Sequence, residues 1–173
     1  MSRRLGLSYA GVSARPNVST ASRILDRVTA NVSTSGAVET TVYTFTVVGN
    51  VLGTAGALRL TVIGQNSDPV GVETYTWRLK YGATTLFSAD SAPPDNNAIQ
   101  RFRATFYLVA DGATNSQIGW MDLTAADATS TTNTHRGGTA AIDSTVGQAL
   151  AVSIQGTATA GEATLEYAVL ELL

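Results

Sequence analysis

The strongest constraint on the fold is a strict alternation of large apolar and polar residues in TYTWRLKYG, residues 74–82. Large apolar side chains occupy every second position, and polar side chains lie between them: Tyr75, Trp77, Leu79 and Tyr81 alternate with Thr74, Thr76, Arg78 and Lys80. Successive side chains of a β-strand point to opposite faces. The alternation therefore predicts a strand with one buried face and one polar face.

Seven other short runs show related patterns and are separated by segments rich in Gly, Asn, Asp and Pro, which favour turns. All four Pro residues lie outside the runs, as expected for paired strands. No amphipathic helix is evident between the runs. The sequence therefore predicts an all-β fold, an eight-stranded antiparallel jelly-roll sandwich. The predicted strands are residues 42–49, 57–64, 74–82, 83–89, 101–110, 117–123, 148–156 and 163–172.

The longest connection between predicted strands is residues 125–145. It is too long for a simple hairpin turn and predicts an exposed or sheet-crossing loop. The only His of the chain, His135, lies in this segment and is followed by Arg136 and two Gly. We expect both side chains at the surface, in contact with solvent or with another subunit.

The last two runs predict a terminal hairpin. The final run alone is ambiguous, because Leu165, Val169 and Leu172 would also share one face of a helix. The run that precedes it, residues 148–156, has a matching length and follows the strand pattern, which favours a strand for the final run as well.

Strict alternation would divide this final strand into two faces. Leu165, Tyr167 and Val169 would face the core. The opposite face is too apolar to lie simply in water, and it predicts a subunit interface. The predicted interface residues are Ala168, Leu170 and Leu172.

The first 36 residues differ from the rest in charge. They contain five Arg and one acid, whereas the other 137 residues contain six basic and twelve acidic residues. This asymmetry predicts a basic, polar N-terminal arm at 1–36 and a jelly-roll β domain at 37–173. The arm is either a solvated tail or a segment that docks on an acidic surface of another subunit. Within it, residues 22–33 fit a short helix or an extended segment, and their Val and Thr favour the extended form.

Composition excludes several classes of function. A net charge of −2 argues against a nucleic-acid binder, which would need a basic excess. The absence of Cys excludes disulfides, thiolate nucleophiles and Cys-based metal sites. No apolar run approaches the length of a membrane span, so we expect no membrane partner.

Catalytic motifs are also missing from the sequence. It contains no GxSxG nucleophile motif and no phosphate-binding P-loop. Asp90, Asp95 and Asn96 lie near one another in the sequence, but two Pro and irregular spacing favour a turn over a calcium site. The third alternative is a carbohydrate-active enzyme domain, but nothing in the sequence brings two acids into one cleft. We therefore predict a protein that is not an enzyme and that has no cofactor and no metal.

Two sets of alternating side chains each have two interpretations. One set of aromatic residues would form either the core or a sugar-binding platform: Tyr75, Trp77, Tyr81, Phe102, Phe106 and Trp120. One set of basic residues would form either a solvated sheet face or a basic contact face: Arg59, Arg78, Lys80, Arg101 and Arg103. At strand spacing, aromatic residues are more often core.

The order of several segments resembles a group of tailed-bacteriophage virion proteins, small jelly-roll proteins of capsid decoration, head-fibre or tail-fibre type. The segments are VETTVYTFTVVGNVLGTAGALRLTVIGQ, TWRLKYGATTLFS, DGATNSQ, THRGGTAAIDSTVGQALAVSIQG and EYAVLELL. The resemblance extends over residues 25–173, whereas residues 1–24 match no part of the family's pattern. It implies an eight-stranded jelly roll, commonly trimeric, with an N-terminal arm that anchors it to the virion.

These features together predict a virion structural protein, a trimeric capsid decoration protein on the outer surface of the major capsid protein lattice. The predicted partner is the major capsid protein or another virion protein, contacted by Arg3, Arg4, Arg15, Arg23 and Arg27. The alternative is a tail-fibre or receptor-binding jelly roll that recognises a host glycan. In that case the 125–145 loop, with His135 and Arg136, would form the tip.

Overall fold

The computed structural model describes residues 22–34, 36–67, 74–91, 99–126, 131–157 and 162–173, and all regular secondary structure in these ranges is β. The strands form two antiparallel sheets. Their bounds are β1 Arg23–Val28, β2 Val32–Ser33, β3 Thr40–Val47, β4 Ala57–Ser67, β5 Tyr75–Tyr81, β6 Thr84–Ser91, β7 Ile99–Ala110, β8 Gln117–Ala126, β9 Thr131–Ala140, β10 Gln148–Gly156 and β11 Glu162–Leu172.

The strand order is that of a jelly roll with one added hairpin. The large sheet runs β1-β11-β4-β7-β8-β9, with β2 also paired to β11, and the small sheet runs β3-β10-β5-β6. If β1, β3, β4, β5, β6, β7, β10 and β11 are taken as the eight strands, each sheet receives four of them in the interleaved order typical of a jelly roll. The β8–β9 hairpin then extends the large sheet beyond β7. The predicted all-β sandwich is confirmed.

All eight predicted strands are present, and β1, β2 and β9 are additional. β1 confirms the extended interpretation of residues 22–33. It pairs with β11 in the large sheet, from Arg23 opposite Leu172 to Val28 opposite Ala168. The sheet therefore begins inside the segment that was predicted to be an arm.

The prediction of a loop at 125–145 was wrong, because residues 131–140 form β9 and pair with β8 along its whole length. β9 is the last strand of the large sheet, and its residues are polar or small on both faces. It therefore lacks the alternating apolar residues by which the other strands were predicted. Its glycines allow close packing on the small sheet. A Cβ at Gly138 would lie only 1.9 Å from the backbone oxygen of Leu86 on β6.

The core lies between the two sheets and is built from the inward-facing residues of both. Trp77 of β5 packs edge-on against Phe102 of β7, with ring centroids 4.9 Å apart, and its indole nitrogen donates a hydrogen bond to Ser91 Oγ. Five of the six aromatic residues with two interpretations are buried here, which confirms the core interpretation for them. Trp120 is the exception and lies on the outer face of the large sheet.

The prediction that Ala168 and Leu170 form a subunit interface was wrong. Both are 0% exposed and lie in the sandwich core. A β-bulge at Glu166 places two residues of β11 opposite one residue of β4, so the alternation changes phase after Leu165. Leu172 is partly buried and packs against the same core.

The bulge depends on close contact between β11 and Gly64 of β4. A Cβ at Gly64 would lie 2.0 Å from the backbone oxygen of Thr164 and 2.6 Å from the ring of Phe102. Only glycine leaves room for this approach. The sequence feature associated with the shifted alternation in β11 is therefore Gly64 on the neighbouring strand β4.

We expect Leu170→Ala to lower the free energy of unfolding by about 2–5 kcal/mol, because it leaves a cavity in the core. Urea denaturation checks this. Leu173→Ala is the control, because Leu173 is 52% exposed and its truncation should cost less than about 0.5 kcal/mol. If Leu170→Ala had unchanged stability but a lower molecular mass in solution, Leu170 would belong to a subunit interface and not to the core.

Candidate functional site

The predicted contact residues of the N-terminal segment fall into two groups. Arg3, Arg4 and Arg15 lie outside the described residues. Arg23 and Arg27 lie on β1, at one edge of the large sheet, and both are exposed. Within the part of the chain that the structure describes, neither makes an ion pair. Two cations are thus available to a partner at this edge.

The start of β1 is fixed by Glu171 of β11. Ser22 Oγ donates a hydrogen bond of 2.8 Å to one carboxylate oxygen of Glu171. Arg59 of β4 binds the other oxygen through Nε at 2.9 Å and through a terminal nitrogen at 2.8 Å. The Ser22 hydroxyl and then the Arg59 guanidinium hold the pKa of Glu171 below its ordinary value. This cluster determines where the preceding segment joins the sheet.

The edge strands β1 and β3 of the two sheets are linked by one polar contact. Tyr43 of β3 donates a hydrogen bond of 3.0 Å from its hydroxyl to a carboxylate oxygen of Asp26 on β1. Burial, and then this contact with Asp26, raise the pKa of the Tyr43 hydroxyl. We call the opening between β1 and β3 the seam.

The seam contains two largely apolar grooves. One has a volume of about 240 Å³ and is lined by Arg23, Ile24, Leu25, Phe45, Val47, Val48, Val51 and Leu172. The other has a volume of about 250 Å³ and is lined by Val28, Val32, Thr41, Val42, Tyr43 and Thr44. Ile24 and Val48 are among the exposed large apolar side chains of the described chain. Apolar surface of this kind often marks an interaction site.

The structure places His135 and Arg136 on strand β9, so the predicted loop tip does not exist in this form. Both side chains are exposed. His135 faces Asp122 across the β8–β9 ladder, and its Nδ1 lies 2.8 Å from Asp122 Oδ1. An ionised carboxylate can only accept a hydrogen bond, so Nδ1 carries the proton and donates it.

Trp120 completes a cluster that the sequence did not predict, the Trp120 cluster of Trp120, Asp122 and His135. The indole nitrogen of Trp120 donates a hydrogen bond of 2.8 Å to the same Asp122 oxygen. The benzo ring lies over Gly137, where a Cβ would be only 2.7 Å from ring atom Cε3. Trp120 is nevertheless 45% exposed. Its ring is therefore held in position while much of its surface is open to solvent.

The only sequence signals for this cluster are the W-x-D spacing on β8 and the two Gly after His135. Trp120 and Asp122 share a sheet face because they are two residues apart. His135 joins them only through the pairing of β8 with β9, which the sequence analysis did not predict.

A shallow cavity of about 500 Å³ adjoins the Trp120 cluster on the outer face of the large sheet. Arg101 at its border pairs with Glu166. Arg103 is exposed and makes no ion pair within the described ranges. The complete lining is Ile63, Arg101, Phe102, Arg103, Thr105, Asp122, Thr124 and Ala126.

The interpretation of five alternating basic residues as one contact face was wrong. Arg59, Arg101 and Arg103 lie on the large sheet, whereas Arg78 and Lys80 lie on the small sheet. The two sets belong to different layers of the sandwich, so they do not form one surface.

Arg78 and Lys80 of this set share one carboxylate partner, Glu39. Lys80 and then Ser153 lower the pKa of Glu39 through hydrogen bonds. One carboxylate of the chain therefore balances one of these two positive charges.

Among the described residues, the His, Asp and Glu side chains form no group of three or more that could hold a metal ion. The same residues include no helix long and apolar enough to cross a membrane. The expected absence of a cofactor and of enzymatic activity stays a prediction.

Comparison with known proteins gave matches to solved structures only. No protein-family model matches the chain, and no curated protein matches it. The match to the structure of infectious bursal disease virus strain Gt covers 95% of this chain and 46% of the viral chain, with 12% identity and a TM-score of 0.36. The match to a VP2 subviral particle of infectious bursal disease virus covers 95% of this chain and 45% of the viral chain, with 11% identity and a TM-score of 0.32.

The chain thus spans less than half the length of the viral chains that it matches. With TM-scores and identities this low, the matches carry no argument about function.

We expect His135→Ala to raise the pKa of Asp122 toward its ordinary value, since the His135 hydrogen bond is the largest cause that lowers it and Trp120 is the second. Carbon-13 NMR titration of the Asp122 carboxyl checks this. Because the folded pKa is depressed, the stabilisation is present above the unfolded pKa and is lost as pH falls through the folded value. Trp120→Phe should give a smaller rise, and an unchanged pKa in both variants would contradict the described geometry.

Proposed function

We propose that this chain is a structural protein of a virus particle, specifically a tailed-phage capsid decoration protein. It binds as a trimer to the outer surface of the major capsid protein lattice. The sequence resemblance and the jelly-roll strand order support this proposal. Such a protein needs a stable module without catalytic machinery, and a jelly roll leaves few free sheet edges.

The observation that carries the proposal is the pair of exposed, unpaired cations that the described chain places on β1. Residues 1–21 lead directly into β1, an edge strand whose Arg23 and Arg27 are exposed and free of ion pairs in the described chain. The other basic residues of the segment, Arg3, Arg4 and Arg15, precede this edge in the sequence. A contact with an acidic lattice would therefore use the β1 edge and the segment before it.

The seam offers a surface for the proposed trimer. The interface expected at Ala168 and Leu170 is excluded because both residues are core. The two apolar grooves between β1 and β3 instead present surface that a neighbouring copy can cover, and Arg23, which lines one of them, would lie where that copy and the lattice meet. Contacts around a threefold axis would be heterologous and would close a ring.

The tail-fibre alternative stays a prediction, but the 125–145 loop that was to form its tip is in part a strand. Residues 131–140 are a sheet strand, so His135 and Arg136 do not lie at a loop tip.

We expect a double variant, Arg23→Ser with Arg27→Ser, to bind purified capsids about threefold to tenfold more weakly than the native protein, with a reduced dependence on salt. Arg136→Ser is the matched control, because Arg136 is also exposed and unpaired in the described chain but lies on β9. Capsids assembled without this protein, titrated with it and sedimented, give the measurement. Capsid binding that is saturable and equal in all three proteins would exclude the β1 edge.

Removal of residues 1–21 is expected to weaken capsid binding further while leaving the domain folded. This truncation keeps Ser22 and its bond to Glu171, whereas removal of residues 1–36 would delete β1 and damage the sheet. Circular dichroism checks the fold, and capsid sedimentation checks the binding. Full binding by the truncated protein would show that the segment is not the anchor.

We expect the protein to have the mass of a trimer in solution, and Val48→Asp to shift it toward the monomer because Val48 lines one groove of the seam. Val146→Asp is the control, since Val146 is similarly exposed but does not line either groove. Light scattering gives the mass. A monomeric native protein at high concentration would contradict the trimer.

A further inference from the structure

The outer face of the large sheet holds an exposed indole in a fixed orientation. Trp120 is 45% exposed, yet its nitrogen is bonded to Asp122 and its benzo ring lies over the Gly137 backbone. A free tryptophan side chain would lose rotamer freedom when a ligand bound it. Here that freedom is already lost, so a flat ligand surface can stack on the ring at a lower entropic cost.

Polar groups follow this ring along the outer sheet face, at positions suited to hydroxyl groups. His135 uses Nδ1 for Asp122, which leaves Nε2 as the ring nitrogen with unused hydrogen-bonding capacity. The hydroxyl of Thr124 donates to Asn133 across the β8–β9 ladder at 2.9 Å and still has acceptor capacity. An apolar ring with hydrogen-bonding groups at its border matches a sugar, which has an apolar ring face and hydroxyl groups around its edge.

The adjoining cavity adds a cation. Arg103 lines it, is exposed and makes no ion pair among the described residues, whereas Arg101 beside it is paired with Glu166. A guanidinium forms strong, directional hydrogen bonds with a carboxylate. The surface therefore favours a ligand that carries a carboxylate in addition to hydroxyl groups.

The spacing of these groups fits an oligosaccharide better than a single sugar. Trp120 is four residues before Thr124 on β8, and Thr124 faces Arg103 on β7. At about 3.3 Å per residue, the two ends of the surface lie about 13 Å apart along the strand. Two or three linked sugar rings span such a distance. The cavity of about 500 Å³, which extends from Asp122 past Thr124 and Arg103, has room for a bound ring.

We propose that this face binds an acidic oligosaccharide, with one sugar ring stacked on Trp120 and a sugar carboxylate paired with Arg103. His135 contacts a hydroxyl group near the Trp120 end, and Thr124 contacts one beside Arg103. This inference does not rest on the proposed capsid attachment, which uses β1 at the other edge of the large sheet.

Calorimetric titration of the full-length protein with two matched probes tests the proposal. One probe is a tetrasaccharide of alternating glucuronic acid and N-acetylglucosamine, and the other is the same tetrasaccharide with its carboxyl groups reduced to alcohols. We expect the acidic probe to bind at least about tenfold more tightly than the reduced probe. We also expect the indole Nε1–H signal of Trp120 to shift on binding in NMR spectra.

Variants assign the two ends of the surface. Trp120→Ala should weaken binding of both probes by about tenfold or more. Arg103→Gln should weaken binding of the acidic probe only. Val146→Ala and Arg27→Gln are the controls for an exposed apolar residue and an exposed cation away from this face, and both should bind like the native protein.

Three results would overturn the proposal. They are no binding of either probe, equal binding of both probes by the native protein, and unchanged binding by Trp120→Ala. A weakened Arg27→Gln variant would also overturn it, because attraction by general positive charge would then explain the binding. Amide NMR spectra establish that each variant is folded. Capsid sedimentation is a separate measurement, so failure here is distinguishable from failure of the capsid proposal.

Discussion

The pairing of β11 with its neighbours is the interaction on which the rest of the structure depends. β11 joins β1 and β2 on one side and β4 on the other, so the N-terminal strands belong to the sheet only through it. Its bulge at Glu166 decides which side chains enter the core. Glu171, near its end, binds both Ser22 and Arg59 and so fixes the entry of the chain into β1.

This arrangement separates the two surfaces for which we propose different functions, the β1 edge for capsid attachment and the Trp120 cluster for oligosaccharide binding. β1 is at one edge of the large sheet, and β8 is four strands away from it. At a strand spacing of about 4.8 Å, that places the Trp120 cluster about 19 Å from β1. Attachment through β1 would therefore leave the Trp120 cluster uncovered. A decoration protein with this geometry can hold the capsid at one edge and present a binding face to the surroundings.

The sequence predicted the strands where apolar residues alternate, because burial of one sheet face imposes that pattern. It did not predict β9, whose TTNTHRGGTA is held by backbone pairing and needs no apolar face. The phase of β11 was wrong because a bulge depends on Gly64 in another strand, which a one-dimensional pattern does not link to Leu165. The sequence thus predicted the apolar faces of most strands and the positive charge of the N-terminal segment. It did not predict which residues of β11 face the core.

The candidate sites show the same division. Arg23 and Arg27 were selected from charge alone and are exposed in the structure, while their role as partner contacts stays a prediction. The Trp120 cluster was missed because Trp77 and Trp120 have similar strand contexts, and only sheet pairing separates a buried ring from an exposed one. The five alternating cations were grouped wrongly for a related reason, since neighbouring strands in sequence lie in different sheets.

The most direct test of the central claim is an electron cryomicroscopy reconstruction of capsids saturated with this protein. The proposal predicts threefold density on the outer surface of the lattice, with the β1 edge and residues 1–21 toward the major capsid protein and the Trp120 cluster free of lattice contacts. Density confined to the tail, or domains on the capsid whose β1 edge points away from the lattice, would contradict it.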